Sequence, residues 1–226
     1  MRLEAKGISR RYFRNKGSAN TFFAVKETDF VLEPGRITAL HGRSGGGKST
    51  LLQMLSGLLT PTTGEVLLDG QSLYTLQDRE LSRLRNAHLG VIPQGKAAVG
   101  SLSVLENVLL PAQLYGQADE QTRKEAAQLL ERLGMAELAG VRPRELSGGE
   151  LRRMSIARAL AAKPGVLLAD EPTGDLDDLN TKTVLDLFAE AADRGCAVLL
   201  VTHDRDSLSV AQDVWRMDAG VLTHET

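Results

Sequence analysis

Residues 42–50 read GRSGGGKST and match the phosphate-loop pattern G-x-x-x-x-G-K-[ST] at every fixed position. The glycines let a backbone wrap around a phosphate with its N–H groups pointing inward, and a following helix adds partial positive charge. Lys48 is expected to reach the β- and γ-phosphates of a nucleotide, and the Ser49 hydroxyl to ligate Mg²⁺. The pattern therefore predicts a nucleotide site built by Gly42, Arg43, Ser44, Gly45, Gly46, Gly47, Lys48, Ser49 and Thr50.

The elements on either side of this loop support the prediction. An apolar strand, Ile37–His41, precedes the loop, and a helix from about Lys48 to Leu58 follows it. A glycine-rich turn that matched by accident would not be expected between these two elements. After Pro164 strands and helices alternate again, which predicts a mostly parallel sheet with crossovers: Val166–Ala169, Leu179–Arg194, Ala197–Thr202, Asp206–Ala211 and a hairpin at Asp218-Ala219-Gly220.

The rest of the chain divides into two kinds of segment. Leu3–Ile8, about Val25–Leu32, and Glu65–Leu68 are β-rich, and the first two are joined by the polar stretch 14–20. Residues 78–162 are mostly helical, with Asp119 as a candidate N-cap. We predict an α/β fold: a P-loop NTPase core with an N-terminal antiparallel β subdomain and an inserted α-helical subdomain. One domain is expected over residues 1–226, with the core at about 1–94 and 162–226 and the helical insertion at about 95–161.

Composition narrows the functional class. A net charge of −2 gives no electrostatic footprint for nucleic acid. The single cysteine, Cys196, lies in the apolar run CAVLLV and is expected to be a buried strand thiol. The charged N-terminus is unlike a signal peptide, and the longest apolar runs are far short of the roughly 20 residues that span a bilayer. Any action at a membrane is therefore expected to need a partner.

Two adjacent acids follow the apolar strand Val166–Ala169. Such a strand delivers carboxylates at its C-terminal end to the ligand crevice of an α/β sheet. Asp170 is expected to hold Mg²⁺ and Glu171 to activate the attacking water. Acids also commonly cap the next helix, so the assignment depends on the phosphate loop upstream.

A second phosphate-binding pattern precedes the helix that begins near residue 150. Leu146-Ser147-Gly148-Gly149-Glu150 places a serine and two glycines at a helix N-terminus, which favours anion binding. The phosphate loop at residues 42–49 already provides the binding site for one nucleotide. A second element is expected to serve the nucleotide of another copy of the chain.

With these motifs the sequence resembles the ABC ATPases along nearly its whole length. Residues 42–49 resemble their Walker A motif, 146–150 their signature motif, Asp170 and Glu171 their Walker B motif and catalytic glutamate, and 174–177 their D-loop. The resemblance also assigns Gln94 to the Q-loop, His203 to the switch histidine and Tyr12 to adenine stacking. Other interpretations remain for three of these residues: Tyr12 as strand packing, Gln94 as a loop amide and Asp177 as a helix cap.

The resemblance implies a mechanism. Two subunits close head to tail around two ATP molecules, so that Ser147, Gly148, Gly149 and Asp177 complete the partner's site. Glu171 polarises water, His203 contacts the γ-phosphate, and Gln94 joins Ser49 and Asp170 at the Mg²⁺ site. The residues after Gln94, GKAAVGSLS, depart from the aromatic-rich stretch usual in the family.

Several further features resemble the branch that serves lipoprotein release and macrolide export. These are the polar stretch after Tyr12, residues 64–70, residues 106–111 and the run DEPTG at 170–174. The branch implies a bacterial motor subunit on the cytoplasmic face of the inner membrane, held by a transmembrane permease and paired with itself or a homologous ATPase. The alternatives are an importer ATPase, a soluble ATPase of a cytosolic assembly such as iron–sulfur scaffolding, and an inactive member of a heterodimer.

Overall fold

The computed structural model describes residues 1–13, 21–95 and 97–225, so the polar stretch at 14–20 lies outside the described residues. The strands in chain order are β1 (Leu3–Phe13), β2 (Thr21–Leu32), β3 (Ile37–His41), β4 (Thr63–Leu68), β5 (Gln71–Ser72), β6 (Leu89–Ile92), β7 (Val166–Asp170), β8 (Ala197–Val201), β9 (Asp213–Asp218) and β10 (Val221–Glu225). The α-helices are α1 (Lys48–Leu55), α2 (Asp78–His88), α3 (Val104–Leu114), α4 (Glu120–Arg132), α5 (Gly148–Ala161), α6 (Asp178–Asp193) and α7 (Arg205–Ser209).

The larger sheet has six strands in the order β10-β9-β3-β8-β7-β6. Neighbours from β9 to β6 run parallel, and β10 pairs antiparallel with β9. Every residue of β7 and β8 is buried because apolar side chains pack on both faces of the sheet. The predicted mostly parallel sheet is confirmed, and it places the C-terminal ends of β3 and β7 at one edge.

The smaller sheet is antiparallel, in the order β2-β1-β4-β5. Its first two strands are longer than the expected Leu3–Ile8 and Val25–Leu32, and they pair as far as Phe13 with Thr21. Register shifts between Ala5 and Arg11 break the regular alternation of apolar and polar residues. The predicted lengths of both strands were therefore too short, and the additional residues include the aromatic residues 12, 13, 22 and 23.

Two predicted helices differ at their ends. The helix after the phosphate loop stops at Leu55 rather than Leu58, because Gly57 adopts a left-handed φ of +71°. The short helix expected at Asp206–Ala211 spans Arg205–Ser209 instead, since Asp204 caps it by accepting from the N–H groups of residues 206 and 207.

Helices α3, α4 and α5 pack against one another in the segment between β6 and β7. Asp119 caps α4 as predicted, accepting from the Thr122 N–H at 2.7 Å. Leu130 and Leu133 are buried, whereas Leu129 is only partly buried. Among the described residues, none of the helices has the length and apolar character needed to cross a membrane.

Candidate functional site

The phosphate loop is wedged between two strands. Gly42 has φ +139° and Gly47 has φ +110°. A Cβ atom on Gly42 would lie 2.0 Å from the carbonyl oxygen of Met217, and one on Gly47 would lie 2.1 Å from that of Ala24. Only glycine fits these two positions, because both the space and the backbone angle exclude a side chain.

The turn between β9 and β10 is hydrogen-bonded to the same loop. The Gly220 N–H donates to the Gly46 carbonyl oxygen at 2.9 Å, and the Lys26 N–H donates to the Gly220 carbonyl oxygen at 2.8 Å. The loop is thus held by residues far away in sequence.

Lys48 folds back onto the loop that precedes it. Its Nζ atom donates to the carbonyl oxygens of Gly42 at 2.7 Å and Arg43 at 3.0 Å. The ammonium group is therefore held against the start of the loop, where it can act as a point charge for anions.

Strand β7 ends at Asp170, whose carboxylate lies next to α1. Asp170 is 5% exposed. Burial raises the pKa of this carboxyl group, and a hydrogen bond with the Ser49 side chain opposes that shift. A hydroxyl group and a carboxylate meeting at this point form a donor set that suits Mg²⁺.

Glu171 follows with unusual backbone geometry. Its φ is +49°, an uncommon value for a residue with a side chain, and its N–H donates to the Val201 carbonyl oxygen at 2.9 Å. The strained turn directs the carboxylate to His203, and the Oε1 and Nδ1 atoms are 2.9 Å apart. The His203 side chain is 75% exposed while that of Glu171 is 15% exposed, so the pair lies at the cavity wall.

These groups share one cavity of about 740 Å³, a size suited to a small-molecule ligand. Of the residues predicted from sequence, it brings together Tyr12, Gly42, Ser44, Gly45, Gly46, Gly47, Lys48, Ser49, Thr50, Gln94, Asp170, Glu171 and His203. Its lining also includes Phe22, Phe23, Ala24, Ala219 and Gly220, which sequence reasoning did not single out.

An aromatic group forms one end of this cavity. The Tyr12 and Phe22 ring centroids are 5.9 Å apart, and the Arg10 guanidinium lies 4.8 Å from the Tyr12 ring centroid. Phe22 and Phe23 are 42% and 46% exposed. Two adjacent exposed phenylalanines in the segment TFFA were the available signal, but only the pairing of β1 with β2 places them beside Tyr12.

Five predicted residues do not line the cavity: Arg43, Ser147, Gly148, Gly149 and Asp177. Ser147 caps α5, donating to the Glu150 carboxylate at 2.8 Å and accepting from the Glu150 N–H at 3.3 Å. Asp177 caps α6 by accepting from the Asn180 N–H at 2.8 Å, which agrees with its alternative interpretation as a helix cap.

Comparison with known proteins agrees with this architecture. Residues 25–174 match the family model described as ABC transporter. The chain is 42% identical over 222 residues to a lipoprotein-releasing system ATP-binding protein LolD from Xanthomonas campestris, covering 97% of this chain and 91% of the relative. It is 41% identical over 220 residues to the macrolide export ATP-binding/permease protein MacB from Rhodopseudomonas palustris, covering 97% of this chain but only 33% of MacB.

A solved structure shows the same fold. The ATP-binding cassette MJ0796, in a dimeric post-hydrolysis state bound to ADP and Pi, superposes with a TM-score of 0.91 at 30% identity, covering 99% of this chain and 98% of that chain. The predicted α/β P-loop fold is thereby confirmed. With its phosphate loop, its paired acids and its match over most of its length, this chain belongs to the ABC transporter family as an ATPase domain.

Proposed function

We propose that this chain binds MgATP in the 740 Å³ cavity, pairs head to tail with a second copy around two nucleotides, and drives a membrane permease. One observation supports the proposal most: the cavity gathers the phosphate loop and Gln94, Asp170, Glu171 and His203 at the ends of four strands. These are the groups that phosphate binding, metal binding and water activation need.

The nucleotide would lie along the cavity from the aromatic end to Glu171. Its base would stack on Tyr12, with Phe22 and Phe23 beside it. Its phosphates would accept hydrogen bonds from the loop N–H groups at the start of α1, where the helix dipole favours negative charge. Lys48 would exchange its two carbonyl partners for phosphate oxygens.

Ser49, Asp170 and Gln94 would hold the magnesium ion, since each offers an oxygen atom in this cavity. The ion would neutralise charge on the phosphates as the bond to the γ-phosphoryl group breaks. Glu171 would accept a proton from the attacking water. His203, bonded to Glu171, would orient that carboxylate and donate to the γ-phosphate region.

The predicted site residues that lie outside the cavity support the proposal of a head-to-tail dimer. Ser147 caps a 14-residue helix that begins with Gly148 and Gly149, and none of these three residues lines its own chain's nucleotide cavity. A helix N-terminus with two glycines and a serine would bind the phosphates of the facing copy. Asp177, capping α6, would also lie at this interface. We place the helical insertion that carries the signature at about 95–161.

The partner is proposed from the relatives. LolD belongs to a lipoprotein-releasing system and MacB is a macrolide export ATP-binding/permease protein. We place this chain in the same branch, attached by a permease to the cytoplasmic face of the inner membrane. A methionine import ATP-binding protein is 39% identical over 219 residues, so the importer alternative becomes an outcome of the test.

The test is affinity capture of tagged Glu171→Gln protein from detergent-solubilised native membranes with ATP and magnesium. This variant should bind ATP but hydrolyse it roughly 10²–10⁴-fold more slowly, which traps the closed dimer. The matched control is Glu171→Gln combined with Lys48→Ala, which cannot hold the phosphates. In size-exclusion chromatography with ATP, purified Glu171→Gln protein should elute as a dimer. The double variant should elute as a monomer.

Mass spectrometry of the captured material decides the branch. We expect a permease with a large extracytoplasmic domain in the Glu171→Gln sample, in larger amount than in the control. A many-helix importer permease would overturn the branch while keeping the motor role. Capture of soluble assembly proteins alone would contradict the membrane function.

A further inference from the structure

Arg152 connects the signature helix to the residue proposed to contact magnesium. It lies on α5, four residues after Gly148, and is 8% exposed. Its two terminal nitrogens donate to the backbone carbonyl oxygens of Pro93 at 2.6 Å and Gln94 at 2.7 Å. One side chain thus joins α5 to the end of β6.

These two contacts are strong and specific. Among the described residues no carboxylate lies within ion-pair distance of Arg152, so its buried charge is satisfied through neutral carbonyl groups. Hydrogen bonds to a charged donor are stronger than neutral ones, and the planar guanidinium fixes both acceptors at once. The same positive charge acts on the Asp170 carboxylate, so Arg152 lies within electrostatic range of the site.

Arg152 links the first turn of α5 to the backbone of Gln94. Residues 148–161 form one continuous helix, so its first turn and Arg152 move together. Gln94 is exposed at the cavity wall, whereas its carbonyl oxygen accepts a hydrogen bond from the Arg152 side chain. A shift of the α5 N-terminus must therefore move the Gln94 backbone or break both bonds.

Apolar packing also holds α5 in place, independently of Arg152. Met154, Ile156 and Ala157, on the same helix, are buried in the apolar cluster shared with α3 and α4. Pro93 is half-buried and Gln94 exposed, so water can replace the guanidinium at their carbonyl groups. Loss of the bonds should leave the fold intact and release only the connection.

We propose that Arg152 is a positioning residue that couples binding of the facing copy's nucleotide at Ser147–Gly149 to the placement of Gln94 at the chain's own metal site. This inference rests on the proposed function, because it assumes the two-nucleotide dimer. It adds a route by which one site adjusts the metal ligation of the other, through a single buried side chain.

The first measurement is magnesium activation of ATPase activity at saturating ATP for wild type, Arg152→Met and Arg152→Lys. We expect the magnesium concentration for half-maximal activity to rise roughly tenfold in Arg152→Met, as for loss of a group that orients a metal ligand. Arg152→Lys should recover part of the effect, because an ammonium group can still donate to these carbonyls. Arg123→Met, which removes an exposed charge from α4, should behave as wild type.

A double-mutant cycle tests whether Arg152 acts through Gln94. Adding Arg152→Met to Gln94→Ala should produce no further change in magnesium activation. Binding of a fluorescent ATP analogue in EDTA should be unchanged in Arg152→Met, since the phosphate loop is not altered. If that variant does not fold, Arg152→Gln takes its place in the same measurements.

Cooperativity tests the link between sites. The ATP dependence of wild-type turnover should be sigmoidal, and Arg152→Met should bring the Hill coefficient close to 1. Three results would each overturn the inference. The first is an Arg152→Met variant with wild-type magnesium activation and cooperativity. The others are additive effects of Arg152→Met and Gln94→Ala in the double-mutant cycle, and loss of nucleotide binding by Arg152→Met in EDTA. An inactive wild type would contradict the proposed function itself.

Discussion

Burial of Asp170 at the end of β7 opposes the charge that a metal site requires. The carboxyl group is 5% exposed, and burial raises its pKa. A raised folded-state pKa means that its contribution to stability is greatest below the pKa of an unfolded aspartate. The contribution falls as pH rises toward the folded-state pKa. The metal-binding role proposed for Asp170 therefore works against the stability of the nucleotide-free protein.

Asp170→Asn should accordingly stabilise the nucleotide-free protein at pH 7 while abolishing magnesium-dependent turnover. The expected gain in the free energy of unfolding is about 1 kcal/mol, measured by urea denaturation. The gain should be smaller at pH 4, because the raised pKa keeps a larger fraction of the Asp170 carboxyl group protonated there than of an unfolded aspartate. Asp186→Asn, at an exposed position on α6, should change stability by less than about 0.5 kcal/mol. Equal gains at both pH values would contradict this account.

Tyr12 is the residue for which strand packing and base stacking compete as explanations. Tyr12→Ala should raise the dissociation constant for ATP by roughly 5- to 150-fold, because stacking on an aromatic ring contributes about 1–3 kcal/mol per base. Tyr12→Phe keeps the ring and should bind like wild type. Calorimetric titration of both variants with ATP and with inorganic triphosphate separates the roles. A weakened affinity for triphosphate as well would show that Tyr12 only supports the sheet.

At the scale of elements, helix α3 organises the loop that precedes it. Asn107 is fully buried, and its side-chain oxygen accepts from the Val99 N–H at 2.8 Å. Its side-chain nitrogen donates to the carbonyl oxygens of Val99, Leu102 and Ser103 at 2.9–3.2 Å. One amide therefore shapes the segment from residue 99 to 103, which follows Gln94.

Asn107→Leu keeps the branched shape of the side chain but leaves these backbone groups without their partner. We expect a loss of about 2–3 kcal/mol in the free energy of unfolding, since unsatisfied buried polar groups are costly. Hydrogen–deuterium exchange should rise most in the peptide covering residues 97–107. Asn180→Leu on α6 is the control for general effects of the substitution and should leave exchange in that peptide unchanged. Uniformly raised exchange across the protein would argue against a local role.

The whole molecule is built around the six-stranded sheet, with one apolar cluster on each face. Cys196 directly precedes β8, a central strand of this sheet, and is 5% exposed. Burial raises the pKa of its thiol to about 11, whereas a free cysteine has a pKa of about 8.5. Burial of the thiol is confirmed, although Cys196 lies one residue before β8 rather than within the strand. We expect the thiol to react slowly while the protein stays folded, because the thiolate is the reactive form.

The single cysteine thus reports opening of the whole domain. Labelling by a thiol reagent at pH 8 should be at least roughly 100-fold slower in the folded protein than in urea, because the thiolate is the reactive form. Saturating MgATP should slow it further by stabilising the folded state. The measurement is the labelling rate against urea concentration. A fast rate without urea would mean that this edge of the sheet opens locally.

The phosphate loop, the paired acids and the alternation of strands and helices were all predictable from contiguous residues. The reason is physical: glycine geometry, a helix N-terminus and a strand's apolar pattern act over a few neighbouring positions. These local signals were sufficient for the fold class. They also indicated most of the residues that the structure brings into one cavity.

The far ends of the cavity were not predictable in this way. Phe22 and Phe23 reach it only because β1 and β2 extend across register shifts, and Gly220 reaches it because the β9–β10 turn bonds to Gly46. In the sequence Arg152 is one of several charged residues on a predicted helix. In the structure it donates hydrogen bonds to two carbonyl groups about 58 residues earlier in the chain. Such contacts depend on how distant segments pack, and no local pattern encodes packing between distant segments.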